Sequence, residues 1–408
     1  MLGLTAGKLV RWARDGLIMV VIALVMLALL ELGLRVYVGP PAFQYDPELI
    51  ASLAPSVSKV YVRSVDGGPH FIRWETNDQG FRGPPLDPAA DQRVIVFGDS
   101  NVQARFSTQE LSFTGQLERL LEEPTGKNVE VINAGVVGFG PDQSLIRMRS
   151  LIERYKPDAL VFHLFTENDF GDIVRNRLFE LDPSGKLVRT PHPVTPDERM
   201  PTGWWSRPPG ELLRNSMISI FANAYAQGLA RSKQPHPELE HDPERFRRGA
   251  LGQHERELAV YQAGAPRKYS MFSDHYEADI AFAPDGESAR LEYALLRAVL
   301  EQAGRIASEH SLPFLVVIQP ASRDLTTNLP NHHRVLEDIP GYDRRRLDSW
   351  MESICRELGL DFVNLFDVFE ATGRPNEMYF PTPDPHWNEA GQRVAAESVA
   401  QKLLPAMR

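Results

Sequence analysis

An apolar run, Val94-Ile95-Val96-Phe97, is cut off abruptly by Gly98-Asp99-Ser100. Uninterrupted β-forming residues bounded by glycine fit a strand covered on both faces, the arrangement of a parallel sheet. Ligands of open α/β sheets bind beyond the carboxyl ends of such strands, and Ser100 stands at that end. On these residues alone, a turn with Ser100 as an ordinary helix cap fits equally well.

The rest of the chain repeats the pattern. Further strands are expected over 129–133, 159–165, 313–318 and 362–365, with helices over 113–123, 143–155, 344–358 and 388–403. Leu291, Leu295, Val299 and Ile306 keep one apolar helical face in a further helix. Strands alternating with helices imply βαβ crossovers, hence an α/β fold with three layers, α/β/α, around a five-stranded parallel sheet. The alternation lapses between about 171 and 285, a proline-rich interval with Trp204-Trp205. It is too long for a plain loop and reads as an insertion over the sheet edge, partly helical around 211–229.

Residues 17–30 are all apolar, and 32–38 extend the run with Arg35 as its one charge. That length suits a transmembrane helix over 17–38. Lys8, Arg11 and Arg14 precede it, so residues 1–16 are expected in the cytoplasm and the rest across the membrane. No clear cleavage site follows, which favours an uncleaved anchor over a signal peptide. Glu31 and Arg35 are spaced to pair. Residues 39–58 read as an irregular spacer, and 61–65 with 70–74 as a hairpin about Asp66-Gly67-Gly68-Pro69, so that 39–90 packs on a main domain over 91–408. A net charge of −10 with no basic stripe argues against nucleic-acid partners. The single cysteine, Cys355, excludes an internal disulfide framework and reads as packed core.

Four short blocks fall just beyond sheet elements or before the last helix: Ser100, the run 133–140, Thr166-Glu167-Asn168-Asp169 and Asp384-Pro385-His386-Trp387. Acyl transfer through serine needs a base, an acid that orients it and donors for the oxyanion. Ser100 serves as nucleophile, His386 as base and Asp384 as orienter, with the Ser100 and Gly138 backbone N–H groups and the Asn168 amide as the oxyanion hole. An N-cap or turn role remains an alternative for Asp384. His163 reads as a core histidine, while His275 and His332-His333 read as solvated loop residues. No metal or other cofactor is expected.

With these blocks in order, the chain resembles the SGNH or GDSL-type hydrolases, through Gly98-Asp99-Ser100, Gly138, Asn168-Asp169 and Asp384 with His386. Asn77-Asp78-Gln79-Gly80-Phe81-Arg82-Gly83 and His386-Trp387-Asn388-Glu389-Ala390-Gly391 are similar to the membrane-anchored bacterial branch. Two departures stand out. Thr166 replaces the usual glycine of the third block, and one residue rather than two separates Asp384 from His386, as in SGNH-like polysaccharide O-acetyltransferases. The resemblance implies a flavodoxin-like fold and a serine esterase acting on O-acyl, mainly O-acetyl, groups of extracytoplasmic carbohydrate from the bacterial inner membrane. It leaves open an acetyltransferase with the same triad, or a non-catalytic scaffold among envelope polysaccharide-assembly proteins.

Overall fold

A computed structural model describes residues 6–40, 42–65, 68–190, 216–218, 221–222, 225–226, 243–264, 275–326, 336–380 and 386–407. Helix α1 (Ala6–Val38) includes a span, Val10–Val38, long and apolar enough to cross a membrane. Apolar side chains along it, Leu24 and Met26 among them, are exposed. Such a helix hydrogen-bonds its own backbone and needs only an apolar solvent around it. Near its carboxyl end Arg35 Nε donates to Glu31 at 2.7 Å, and Glu31 also accepts the N–H groups of Met217 and Ile218 at 3.0 and 3.1 Å. A helical fragment of the 171–285 interval therefore rests against this end of α1. Trp204 and Trp205 lie outside the described residues.

The expected irregular spacer is replaced by a hairpin of β1 (Phe43–Asp46) and β2 (Ile50–Leu53). Its turn is local chemistry: the Asp46 carboxylate accepts the N–H groups of Glu48 and Leu49, both at 2.9 Å. Ala42, Ile50, Ala51, Leu53 and Val57 are buried, so apolar burial overrides the proline content. The second hairpin is longer than expected, pairing β3 (Ser58–Val65) with β4 (Gly68–Glu75).

The main sheet joins β5 (Gln92–Phe97), β6 (Val129–Asn133), β7 (Ala159–Phe165), β10 (Phe314–Gln319) and β11 (Asp361–Asn364), all in parallel pairs, in the order β11-β10-β7-β5-β6. Counting only these strands, that is the 2-1-3-4-5 order of the flavodoxin-like sheet. The pleat sends alternate residues to opposite faces. Val94 and Val96 join Phe113, Leu117, Val399 and Leu403 on one side, under α3 (Phe113–Thr125) and α12 (Glu389–Met407). Ile95 and Phe97 join Leu145, Met148, Leu295, Val299 and Ile354 on the other, under α4 (Pro141–Tyr155), α8 (Glu287–Glu309) and α10 (Arg346–Leu358). The result is the α/β/α sandwich expected. Cys355 is buried on this second side, and burial pushes its thiol up to about 12.

The 171–285 interval has more regular structure than its composition suggests. Helix α5 (Asp169–Asn176) leads into the small hairpin of β8 (Phe179–Leu181) and β9 (Leu187–Arg189), and later come α6 (Pro243–Gln262) and α7 (Ala278–Phe282). Short helices α2 (Ser100–Gln103), α9 (Ser322–Leu325) and α11 (Leu365–Ala371) follow strands β5, β10 and β11.

Candidate active site

Strand order reverses between β5 and β7, and a crevice at the carboxyl ends of strands forms at such a switch point. Ser100 occupies that place. The chain leaves β5 through Gly98, where a Cβ would lie 2.5 Å from Val102 Cγ2 and 3.0 Å from His163 Cβ, so a larger residue would push the turn away. Asp99 caps α2, its carboxylate accepting from Asn101 N at 2.8 Å and from Asn101 Nδ2 at 3.1 Å. Ser100 follows as the first residue of α2, 8% exposed.

Behind this turn, Gln319 Nε2 donates to Asn101 Oδ1 at 3.0 Å and Gln319 Oε1 lies 2.8 Å from His163 Nε2. His163 is fully buried, and burial pushes its imidazole toward the neutral form. It is a hydrogen-bonded core histidine that backs the Ser100 turn.

The last block reaches the same place from the other side. Asn388 Nδ2 donates to the carbonyls of Glu377 and Tyr379 at 2.8 and 2.9 Å, while its Oδ1 accepts from the first amides of α12. Trp387 Nε1 donates to the Asn101 carbonyl at 3.1 Å. These ties aim His386 at the serine, and Nε2 lies 2.7 Å from Ser100 Oγ. Asp384, named as orienter, lies outside the described residues.

The two further oxyanion candidates follow β6 and β7. Val136 N donates to the Gly98 carbonyl at 3.1 Å, which holds the loop bearing Gly138 against the serine turn. Gly138 has φ +73°, a left-handed conformation that glycine adopts without strain. Asn168 is buried, with Nδ2 donating to Asp172 Oδ2 at 2.8 Å. An amide nitrogen carries two protons, so this bond fixes one and with it the direction of the other. Asp172 is in turn held by Arg175, at 2.7 and 3.1 Å, and Arg175 also donates to the Asn168 carbonyl at 2.8 Å. Burial nonetheless raises the Asp172 carboxyl. Thr166, in the place of the family's glycine, accepts the Ala321 N–H at 2.7 Å and ties the ends of β7 and β10.

Ser100 and His386 share a crevice with Ala104, Arg105, Phe106 and Phe380. Two supports were not named from sequence. Arg63 of β3 stacks over Phe380 at 3.1 Å and Phe106 at 5.4 Å. Buried Arg82 donates to the carbonyls of Gln103, Ala104 and Ser107 at 2.6–2.7 Å, and burial pushes it down to about 9. The run 77–83 was noted as family-like, but nothing in its spacing announces the carbonyls it grips. His275 is not a solvated loop residue: it is part-buried, 3.1 Å from both Glu257 and Arg175, because α6 packs beside α5. His332 and His333 lie outside the described residues.

Residues 275–407 match the family model described as the SGNH hydrolase-like domain of the acetyltransferase AlgX. That segment is similar to an SGNH hydrolase-like domain. Solved structures similar to it include a psychrotrophic esterase, EstA, from Pseudoalteromonas (12% identity, 77% of this chain and 100% of that one, TM-score 0.34). A lipase/acylhydrolase from Enterococcus faecalis aligns at 12% identity over 77% and 96% with TM-score 0.36. An acetyl xylan esterase, AlAXEase, aligns at 11% over 76% and 99% with TM-score 0.36. No curated protein sequence matches the chain. The matched segment contains His386 and all of β10, β11 and α12, whereas Ser100, Gly138 and Asn168 lie upstream of it.

Proposed function

We propose that this chain carries acyl groups, chiefly acetyl, through Ser100 as an acyl-enzyme on extracytoplasmic carbohydrate, with α1 as an inner-membrane anchor. The carrying observation is the 2.7 Å approach of His386 Nε2 to Ser100 Oγ at the strand-order switch. His386 takes the hydroxyl proton as Oγ attacks the ester carbonyl carbon. Negative charge then builds on the carbonyl oxygen, where the Ser100 and Gly138 N–H groups and Asn168 Nδ2 are donors. Collapse expels the sugar alkoxide, which leaves as an alcohol with the proton from His386. An incoming hydroxyl next gives its proton to His386 and attacks the acyl-serine; collapse breaks the Oγ–acyl bond, releases the acid or new ester and returns the proton from His386 to Ser100, with Asp384 orienting the imidazole throughout.

Water as acceptor makes the protein an esterase, and a sugar hydroxyl makes it a transferase. Sequence reading leans toward hydrolysis; the match of 275–407 to an acetyltransferase domain favours transfer. The crevice, walled by Phe106, Phe380 and Trp387, suits a small acyl group. The decisive experiment incubates the full chain, in detergent, with an acetylated oligosaccharide, with and without an unacetylated acceptor. Transfer yields acetylated acceptor in excess of free acetate; hydrolysis yields acetate alone. Ser100→Ala and His386→Ala should each bring both products to background. Unchanged rates in Ser100→Ala, or no acetyl adduct on a Ser100 peptide during turnover, would sink the mechanism and leave the scaffold reading.

A further inference from the structure

A second cluster of chemically active side chains stands apart from Ser100. His254 of α6, Glu277 just before α7, Asp279 within it and Glu292 of α8 are all at most 4% exposed, with one donor atom from each lying within 4.8 Å of the others. His254 Nδ1 is 3.2 Å from Asp279 Oδ1, 3.4 Å from Glu292 Oε1 and 4.0 Å from Glu277 Oε2. Its other nitrogen, Nε2, lies 3.2 Å from the Tyr276 carbonyl. The Ala278 N–H also points at Nε2, at 3.2 Å, so that nitrogen is served as donor or as acceptor; with the proton on Nε2, the Nδ1 lone pair faces the carboxylate oxygens, the second-sphere arrangement usual for a metal-bound imidazole.

The polar bookkeeping among the described residues is incomplete without something between these groups. His254 Nδ1, Glu277 Oε2, Asp279 Oδ2 and Glu292 Oε2 are buried and make no hydrogen bond. The opposite tautomer would serve one carboxylate at most. Arg175 lies 3.8 Å from Glu277 Oε1 and also engages Asp172 at 2.7 Å and Glu257 at 3.5 Å. Buried carboxylates without a countercharge are costly.

We propose that His254, Glu277, Asp279 and Glu292 bind one divalent transition-metal ion that fastens the insertion helix α6 to the domain. One imidazole and three carboxylates suit zinc or manganese. Donors bonded to one such ion at about 2.0–2.2 Å lie about 3.3–3.6 Å apart in a tetrahedral shell, so the 3.2 and 3.4 Å approaches to His254 already fit and the wider pairs must draw in around the ion. The ion works at a distance from the serine. Glu277 Oε1 accepts the Gly171 N–H of α5 at 2.9 Å, and α5 also supplies the Asp172 and Arg175 contacts that position Asn168.

The test uses the full chain purified in detergent without chelator. Elemental analysis should find about one zinc or manganese per chain. Stripping with dipicolinate should lower Tm by several degrees, and Zn²⁺ or Mn²⁺ alone should restore it. His254→Ala and Glu292→Gln should lose the metal, whereas Ser100→Ala should keep it, which separates this site from the acyl chemistry. If a variant fails to fold, Co²⁺ added to stripped wild-type chain should produce visible d–d absorption. A chain with no bound metal, whose Tm and absorption ignore all three ions, overturns the proposal.

Discussion

Asn168 depends on its neighbours as much as on its own side chain. One amide proton is tied to Asp172 at 2.8 Å, so the other has a fixed direction, and in the proposed mechanism it needs no reorganisation as charge develops. Asn168→Ala should cost roughly 10²–10³ in kcat with a much smaller change in KM, read from steady-state rates on an acetyl ester. Arg82 acts on stability. Its three bonds to the carbonyls of Gln103, Ala104 and Ser107 replace water for groups packed against the crevice. Arg82→Ala should lower unfolding free energy by about 3 kcal/mol or more in urea denaturation. Ser100 and His386 could be named from short blocks because each follows or precedes a periodic element. Arg63 and Arg82 could not, since their partners are backbone carbonyls and rings far along the chain.

At the scale of elements, the five strands of the main sheet were legible because each is a short apolar run bounded by turn residues, and their observed limits differ from expectation by a residue or so. The hairpin Phe43–Leu53 was not, because its turn is made by one aspartate side chain within a proline-rich stretch. The cluster about His254 was invisible for another reason: its members come from separate elements and share no spacing. The junction before α12 offers a sharp test. A Cβ on Gly391 would sit 2.3 Å from the Met378 carbonyl oxygen, a backbone atom that moves only if the loop carrying His386 moves. Gly391→Ala should therefore destabilise by about 1–3 kcal/mol and lower kcat as well, measured by thermal unfolding and esterase rate on the same sample.

For the whole molecule, buried acids set the response to pH. Burial pushes both Asp142 and Asp324 up to about 7, against an ordinary aspartate value near 3.9 in the unfolded chain. Between those limits the folded state holds more protons, so stability contributed by these groups is full at low pH and is lost as pH rises through about 7. Tm should fall between about pH 5 and pH 8, and Asp142→Asn, which keeps an acceptor for Asn176, should flatten part of that slope.

The junction with α1 carries a consequence for what the domain can reach. Val38 ends the helix and is already buried, and Ala42 is buried four residues later; Gly39 N donates back to the Arg35 carbonyl at 3.0 Å. A tether with so little slack explores almost no volume. On the proposed function, with α1 in a bilayer, a carbohydrate would have to come close to the membrane to reach Ser100, so the reaction would follow delivery of substrate to a fixed post rather than diffusion of the enzyme after it.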